Sequence, residues 1–405
     1  MPTVDLARAV GHEDSVVFGN TALDRSDEIK VPHLPVSSSA WRRWLMPLTL
    51  LAAAFVLQAV ASRNPQLVER YYSRNLFPVI TRVLSLLNNV VGFSVAELMI
   101  YVLAAALAGV VIFQTRQIFL RRRRITWLLR TDLLVLMWTS GSMTLLFLLV
   151  WGLNYQREPL GVKLGFAGRS ASDQQLKTIS EAIVNGVNSN YGELHAGEST
   201  EGSSPGPLSR AQVYDLIETG YQHESIIGSA VGGGYGRPKP VYLSGIMSHL
   251  GLSGFYMPFT GEPNFNSAQP DFDLPFVTAH EKAHQRGFAR EDEANFLAFV
   301  VCINSAHPYV RYSGYLNGLR VIGSFAYSDP DFYEALYRRV GEGPRNDLQA
   351  RAAFWALSEG PARAVAEKVN NSYLKANRIE SGTRNYSEDV ALIVGYYLMR
   401  ANGNR

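Results

Sequence analysis

Apolar residues are unevenly distributed along this chain of 405 residues. Before residue 157 they form three long runs, 44–62, 98–115 and 133–156, and none of the three contains a charged side chain. Each reaches the roughly 18–20 residues that a helix needs to cross a bilayer, so three transmembrane helices are expected. Core helices of a soluble domain would keep a polar face, which these runs lack. Residues 1–40 are mixed and polar without sustained periodicity, the pattern of a disordered tail. Between the first two runs, residues 76–87 are amphipathic, which fits a helix at the membrane surface or one packed on the soluble domain.

From Arg157 onward the pattern becomes that of a globular domain. Residues 172–191 and 210–221 carry helical periodicity with polar faces, and a Gly/Ser/Pro-rich loop, 195–208, separates them. Residues 254–259 read as a short strand ending in Pro258 and Phe259, and beyond residue 294 the chain is helical and rich in aromatics as far as Leu398. The expected organisation is a tail over 1–43, a three-helix membrane region over 44–156 and a domain over 157–405. The fold class that follows is an α-helical membrane segment and then a mainly α, α+β extracytoplasmic domain.

Charge fixes the orientation. The net charge of +3 says little about partners, because the visible basic excess is one run, Arg116, Arg121, Arg122, Arg123, Arg124 and Arg130, between the second and third apolar segments. Such a run keeps the loop 116–130 in the cytoplasm, which puts the tail there too and exports residues 157–405 to the outer side of the membrane. Arg42 and Arg43 against Arg63, Arg70 and Arg74 leave the first segment ambiguous taken alone. Ala59-Val60-Ala61 resembles a signal-peptidase site, but the apolar run starts too late for a cleaved signal, so an uncleaved span is expected. No basic patch with interleaved aromatics points to nucleic acid. The single Cys302 lies in an apolar run, reads as a small core hydrophobe and allows no internal disulfide.

The chemistry concentrates at His280-Glu281-Lys282-Ala283-His284. Imidazoles four residues apart share one helix face, the arrangement that binds Zn²⁺, and Glu281 between them is placed to accept a proton from an attacking water. Gly287 is a natural left-handed stop for that helix, and Glu291 opens the apolar run 294–303. A third His six residues after the second would define another class of this motif, but Arg290 stands there, and a guanidinium cannot ligate a cation. The remaining third ligands are Glu291 and, as the alternative, Glu293. On a helix Glu291 and Asn295 share a face, whereas Glu293 points about 200° away. The pair Glu291/Asn295 resembles the Glu-x-x-x-Asp helix of the gluzincin metallopeptidases, a resemblance that implies Glu291 on the metal and Asn295 steadying a ligand histidine.

Other segments carry weaker signals. Gly232–Gly236 lacks the Lys-Ser/Thr of a phosphate loop and reads as a connector. Phe255, Tyr256 and Met257 sit where zincin folds place a cleft-edge strand that pairs with extended substrate, or else form an internal hairpin strand. Arg384 and Tyr386, in a loop, are candidate donors to a tetrahedral oxyanion.

The fragments 93–97, 151–160, 258–266, 280–295 and 382–386 together resemble a bacterial membrane family catalogued as domain of unknown function 3810. The resemblance implies three spans and an exported zincin-like domain, and it makes Glu262 a recurrent carboxylate whose expected role is in a turn. The combined expectation is a membrane-anchored zinc peptidase that binds Zn²⁺ through His280, His284 and Glu291 and acts on an envelope protein or peptide. The rival expectation is a non-catalytic exported sensor or scaffold. A transporter is disfavoured because none of the three apolar runs carries a charge within it.

Overall fold

The computed structural model describes residues 38–121, 123–166, 171–196, 208–223 and 234–403. The first 37 residues of the expected disordered tail, most of the Gly/Ser/Pro-rich loop, and Gly232 and Gly233 of the connector lie outside the described residues. By internal contacts the chain divides between Arg42 and Arg43, and the architecture below is that of the unit 43–405.

The chain is mostly helical. Helices α1 (Ser38–Ser62), α3 (Val95–Phe119) and α4 (Ile125–Val150) are long and apolar enough to cross a membrane, and most of their side chains face outward. Trp138 Nε1 donates to Arg43 O at 3.1 Å, and one turn further along, a Cβ on Gly141 would come within 2.7 Å of Pro47 O. Helices α1 and α4 therefore run side by side in the same direction, with a small residue admitting the close approach. α3 runs the opposite way, and Gln114 near its end donates to Asp132 near the start of α4 at 2.6 Å. The ends at Ser62, Val95 and Val150 consequently share one side, and the remaining domain is attached there.

The boundaries of α4 differ most from the hydropathy pattern. α4 starts at Ile125 and so takes in Arg130 and Asp132, which shortens the basic connection to Leu120–Arg124. Its apolar run continues to Gln156, but the helix stops at Val150, and Gly152–Gln156 tighten into a buried 3₁₀ turn. These residues read as membrane-spanning because they are uncharged, yet their apolar surface is buried by protein.

A nine-residue π-helix, Val68–Leu76, leads into α2 (Phe77–Asn88). α2 packs on the domain, with Thr81 Oγ1 donating to Gln285 O at 3.3 Å and Asn88 donating to Thr260 O. The domain continues with α5 (Asp173–Leu194), α6 (Arg210–His223), α7 (Leu274–Gln285), α8 (Glu291–Ile303), α9 (Pro308–Gly318), α10 (Pro330–Arg339), α11 (Glu342–Ala356), α12 (Pro361–Ala376) and α13 (Asp389–Gly403). Its sheet is small. β1 (Lys239–Val241) pairs parallel with β3 (Glu262–Asn266), β2 (Gly254–Met257) pairs antiparallel with β3, and the order is β1-β3-β2. Pro263 is tolerated in the central strand because β1 pairs only with residues 264–266, so no bond to β1 needs its missing N–H. α8 is the core element, buried among α7, α9 and α13, with Cys302 fully enclosed.

Glu262 is not the turn carboxylate the sequence led us to expect. It is buried in β3 and accepts from Ala96 N at 2.9 Å, Val95 N at 3.2 Å and the Thr260 hydroxyl at 3.0 Å, with Lys239 Nζ 4.0 Å away. It thus satisfies orphan amides in the first turn of α3 and fixes the sheet to that helix. Beside it, Ser94 Oγ caps α3 through Glu97 N and donates to Asn264 Oδ1 at 2.7 Å. Glu262→Ala is expected to lower the stability of the detergent-solubilised chain by about 3 kcal/mol, since the amides of Val95 and Ala96 lose their acceptor and the buried Lys239 loses its counter-charge. Denaturation against wild type measures this, and a loss below about 0.5 kcal/mol contradicts the capping role.

Candidate metal centre

Two helices build the centre and one glycine sets the angle between them. α7 ends where Gly287 takes φ +83°, with its N–H donating to His284 O at 2.8 Å. A side chain there would also lack space, as a Cβ would meet Phe77 at 2.9 Å and Asn154 Oδ1 at 3.0 Å. The chain turns and α8 starts at Glu291. Its first amides are capped from far along the sequence, because Asn385 Oδ1 accepts from Glu291 N at 2.9 Å and Asp292 N at 3.3 Å.

His280 Nδ1 is 2.8 Å from Asn295 Oδ1, and His284 Nδ1 is 2.7 Å from Phe288 O. Both partners are acceptors, so each Nδ1 carries the proton and each Nε2 of a neutral ring presents a lone pair. These two Nε2 atoms lie 3.0 Å apart, with Glu291 Oε2 at 3.2 Å from one and 3.4 Å from the other. The three residues form the one cluster among the described residues whose ligand atoms converge in this way. Zinc bonds of 2.0–2.1 Å in a tetrahedron imply ligand–ligand edges of about 3.3 Å, so the donor set fits that ion.

Of the two carboxylates that the sequence leaves open, Glu291 faces the imidazoles. Glu293 turns away and accepts from Leu160 N at 2.7 Å. Asn295 stands against His280, the contact that the resemblance to the gluzincin helix implied. Glu281 is buried beside the cluster but outside it, and a Cβ on Gly254 would fall 2.5 Å from its Oε1. The first residue of β2 must therefore be glycine for the backbone to lie against this carboxylate. Burial pushes Glu281 up to about 8, aided by the charge on Glu291 although His284 opposes it. Burial would also raise Glu291, but the charge on His284 and contacts from both imidazoles hold it well below the usual carboxylate range. Burial alone would lower His284, yet Glu291 raises it to about 9.

The loop expected to supply oxyanion donors also supplies a helix cap. Gly382–Ser387 is a 3₁₀ turn, Arg384 is exposed on it, the side chain of Tyr386 lies outside the described residues, and the turn reaches the centre through Asn385. No local pattern marks a cap 94 residues from the helix it serves. Tyr373, on α12, also escaped the sequence reading: burial raises its hydroxyl to about 12, and the field of Glu291 adds to that effect. β2 lies at one edge of the sheet and is hairpinned to β3, which accords with both readings of its sequence. Tyr256 within it is occupied, its ring 4.8 Å from Trp151 and its hydroxyl 3.4 Å from Thr81 Oγ1, whereas Phe255 and Met257 are half-buried.

The floor of the centre belongs to the end of α4. Trp151 lies edge-on to His284 with centroids 6.1 Å apart and packs on Phe77 at 5.6 Å. Arg157, buried six residues later, donates to Gly287 O at 2.8 Å and to both oxygens of Glu69 at 2.8 and 3.0 Å. Burial would raise Glu69, but Arg157 and Lys163 hold it down to about 2, so it stays ionised and keeps the π-helix, the turn after α4 and the α7–α8 junction together.

Fold and site together define a protein with three helices able to cross a membrane and a mainly helical domain whose adjacent helices present two imidazoles and a carboxylate to one point. The chain belongs to the family described as Protein of unknown function (DUF3810), whose model matches residues 72–394 and thus takes in α3, α4 and the whole centre. No curated protein and no solved structure matches it.

With His284 raised to about 9, the metal-free centre holds a proton there at neutral pH, and a bound cation must displace it. Zinc affinity is therefore expected to rise by about tenfold per pH unit from 7 to 9 and to level off above, with close to one proton released per zinc at pH 7. Titration calorimetry in buffers of different ionisation enthalpy measures both. An affinity independent of pH over that interval contradicts the assignment.

Proposed function

We propose that this protein is a membrane-anchored zinc-dependent peptidase of the gluzincin type, acting on envelope proteins or peptides at the extracytoplasmic face of a bacterial inner membrane. The observation that carries the reading is the convergence of three lone pairs from His280, His284 and Glu291 beside a buried carboxylate that is not one of them. A purely structural site would be closed by a fourth protein ligand, and among the described residues the cluster offers three. That difference favours catalysis over the rival reading of a zinc-binding sensor or scaffold.

Zinc, when bound, supplies Lewis acidity, activating water near neutral pH and polarising a carbonyl. The chain's own residues do the rest. Glu281 is the general base, taking a proton from the attacking water and delivering it to the leaving amine, and its raised affinity for protons suits that exchange. Asn295 and Phe288 O hold the imidazoles in their tautomer. The backbone of β2 starts against Glu281 and offers an edge for an extended peptide to pair with. Arg384 and Tyr386 stay candidate oxyanion donors, and Tyr373, whose hydroxyl accepts from the Tyr155 hydroxyl at 3.1 Å, joins them as a further candidate.

Glu281→Gln is expected to retain one zinc per chain and near-wild-type thermal stability while losing about 10²–10⁴-fold in hydrolytic rate. Glu291→Gln is expected to lose zinc and stability together. Elemental analysis, thermal denaturation and hydrolysis distinguish them. Full activity of Glu281→Gln refutes the peptidase reading, and metal loss in it makes Glu281 a ligand.

Orientation follows from the arginines around the α3–α4 connection. A phosphatase reporter fused after Arg405 is expected to be active, as enzymes that fold only after export are, and a reporter active only in the cytoplasm reverses the topology.

A further inference from the structure

Helix α2 is amphipathic in the sense opposite to that of a helix on a water-exposed surface. At about 100° per residue, Leu76, Val79, Val83, Leu86 and Leu87 fall within an arc of about 100°, and all five are exposed. The opposite side holds Thr81, Ser85 and Asn88, and this polar side is the buried one. Each of its groups has a partner in the domain: Thr81 Oγ1 donates to Gln285 O at 3.3 Å, Ser85 Oγ accepts from Gln285 Nε2 at 3.3 Å, and Asn88 donates to Thr260 O. Among residues 76–94 the one charged side chain is Arg82, half-buried with its guanidinium 5.6 Å over the Tyr235 ring. Leu86 and Leu87 are 69% and 68% exposed, and beyond the helix Val90 and Phe93 carry apolar surface on toward α3 at 84% and 54%. Such a face is unfavourable in water.

We infer that α2 lies in the plane of the membrane, its apolar face seated in the leaflet on the domain's side and its polar face holding the domain. Two observations name lipid as the occupant. The segment 63–94 is tied at both ends to helices apolar enough to cross a membrane, since α1 ends at Ser62 and α3 begins at Val95 on the same side, and α2 is thereby confined to that face. Its exposed stripe continues without a charge through Val90 and Phe93 into Leu98 and Val102 of α3. The second observation is a loop from elsewhere in the chain. Glu97, in the first turn of α3, accepts from Tyr242 N and Leu243 N at 2.8 Å each, which sets the residues after β1 at the same helix end, where Tyr242 is 90% exposed and Ile246 is 54% exposed. A tyrosine beside the end of a span is the residue type that the headgroup region accommodates.

The seat reaches the metal centre through one residue. Gln285 closes α7, the helix that carries His280 and His284, and it bonds both Thr81 and Ser85 of α2. A helix fixed in the interface thus fixes the end of α7, whichever chemistry the centre performs, and the bilayer contact stands apart from the hydrolytic reading.

The test places a single fluorescent label in the full chain reconstituted in lipid nanodiscs. Val83→Cys, Leu86→Cys and Leu87→Cys, each at an exposed position, receive a nitrobenzoxadiazole label in turn, while the native Cys302 is fully enclosed and out of its reach. Val102→Cys on α3 and Arg338→Cys on α10, where the native side chain is 78% exposed, mark lipid and water. An in-plane helix sits about 5–10 Å into the boundary between headgroups and acyl chains. At the three α2 positions a phospholipid with a nitroxide on the fifth acyl carbon is therefore expected to quench more strongly than one with the nitroxide on the twelfth, and aqueous iodide is expected to quench several-fold less than at Arg338. Iodide quenching equal to that at Arg338 overturns the seat, because the face is then in water. Stronger quenching from the twelfth carbon overturns the in-plane placement, and quenching by no agent overturns it as well, since protein, such as a second copy of the chain, then covers the stripe. The unsubstituted chain gives an independent reading: a phospholipid with a diazirine near its headgroup is expected to label residues 83–90 and to leave α10 unlabelled, and absence of label from 83–90 overturns the seat.

Discussion

Two ring nitrogens and a carboxylate oxygen lie within 3.4 Å of one another, all directing lone pairs at the same point. Without a cation or a proton between them such an arrangement is repulsive, and burial away from water makes the repulsion larger. The surrounding structure resists it from several sides. Asn295 and Phe288 O fix the back of each imidazole, Asn385 fixes the start of the helix that carries Glu291, and Gly287 fixes the angle between the two helices. Apart from the Asn295–His280 contact, which joins two side chains, each constraint lies at a helix end or turn, where backbone groups are free to be satisfied from outside the helix.

The centre is also tied to the membrane-facing part of the chain. Trp151 and Arg157 flank a short turn at the end of α4, one touching His284 and the other holding Gly287 O and Glu69. Glu262 likewise ties the sheet to the first turn of α3, and Gln58 near the end of α1 donates to Ala376 O at the end of α12. All three apolar helices therefore have a fixed polar connection to the domain. Such connections fix the domain to the ends of the apolar helices.

Much of this was readable along the chain. Helical spacing put His280 and His284 on one face, and the same periodicity ranked Glu291 above Glu293 and paired it with Asn295, because contacts within about four residues depend on helix geometry alone. The role of Glu262 was missed for the complementary reason: its partners lie 166 and 167 residues away, and nothing local separates a turn carboxylate from a buried cap. Asn385 escaped in the same way, while Arg384 and Tyr386 drew attention by their chemistry alone.

By itself, then, the sequence determined the three apolar helices, the helix–turn–helix bearing His280, Glu281, His284 and Glu291, and the left-handed stop at Gly287, all consequences of local spacing and side-chain type. Tertiary structure decided which uncharged residues leave the third apolar helix to floor the centre, that β2 starts with its backbone against Glu281, and that Glu262 caps the first turn of α3. These depend on close packing between segments far apart in the chain, where a single Cβ or one buried hydrogen bond selects among arrangements that hydropathy leaves equivalent.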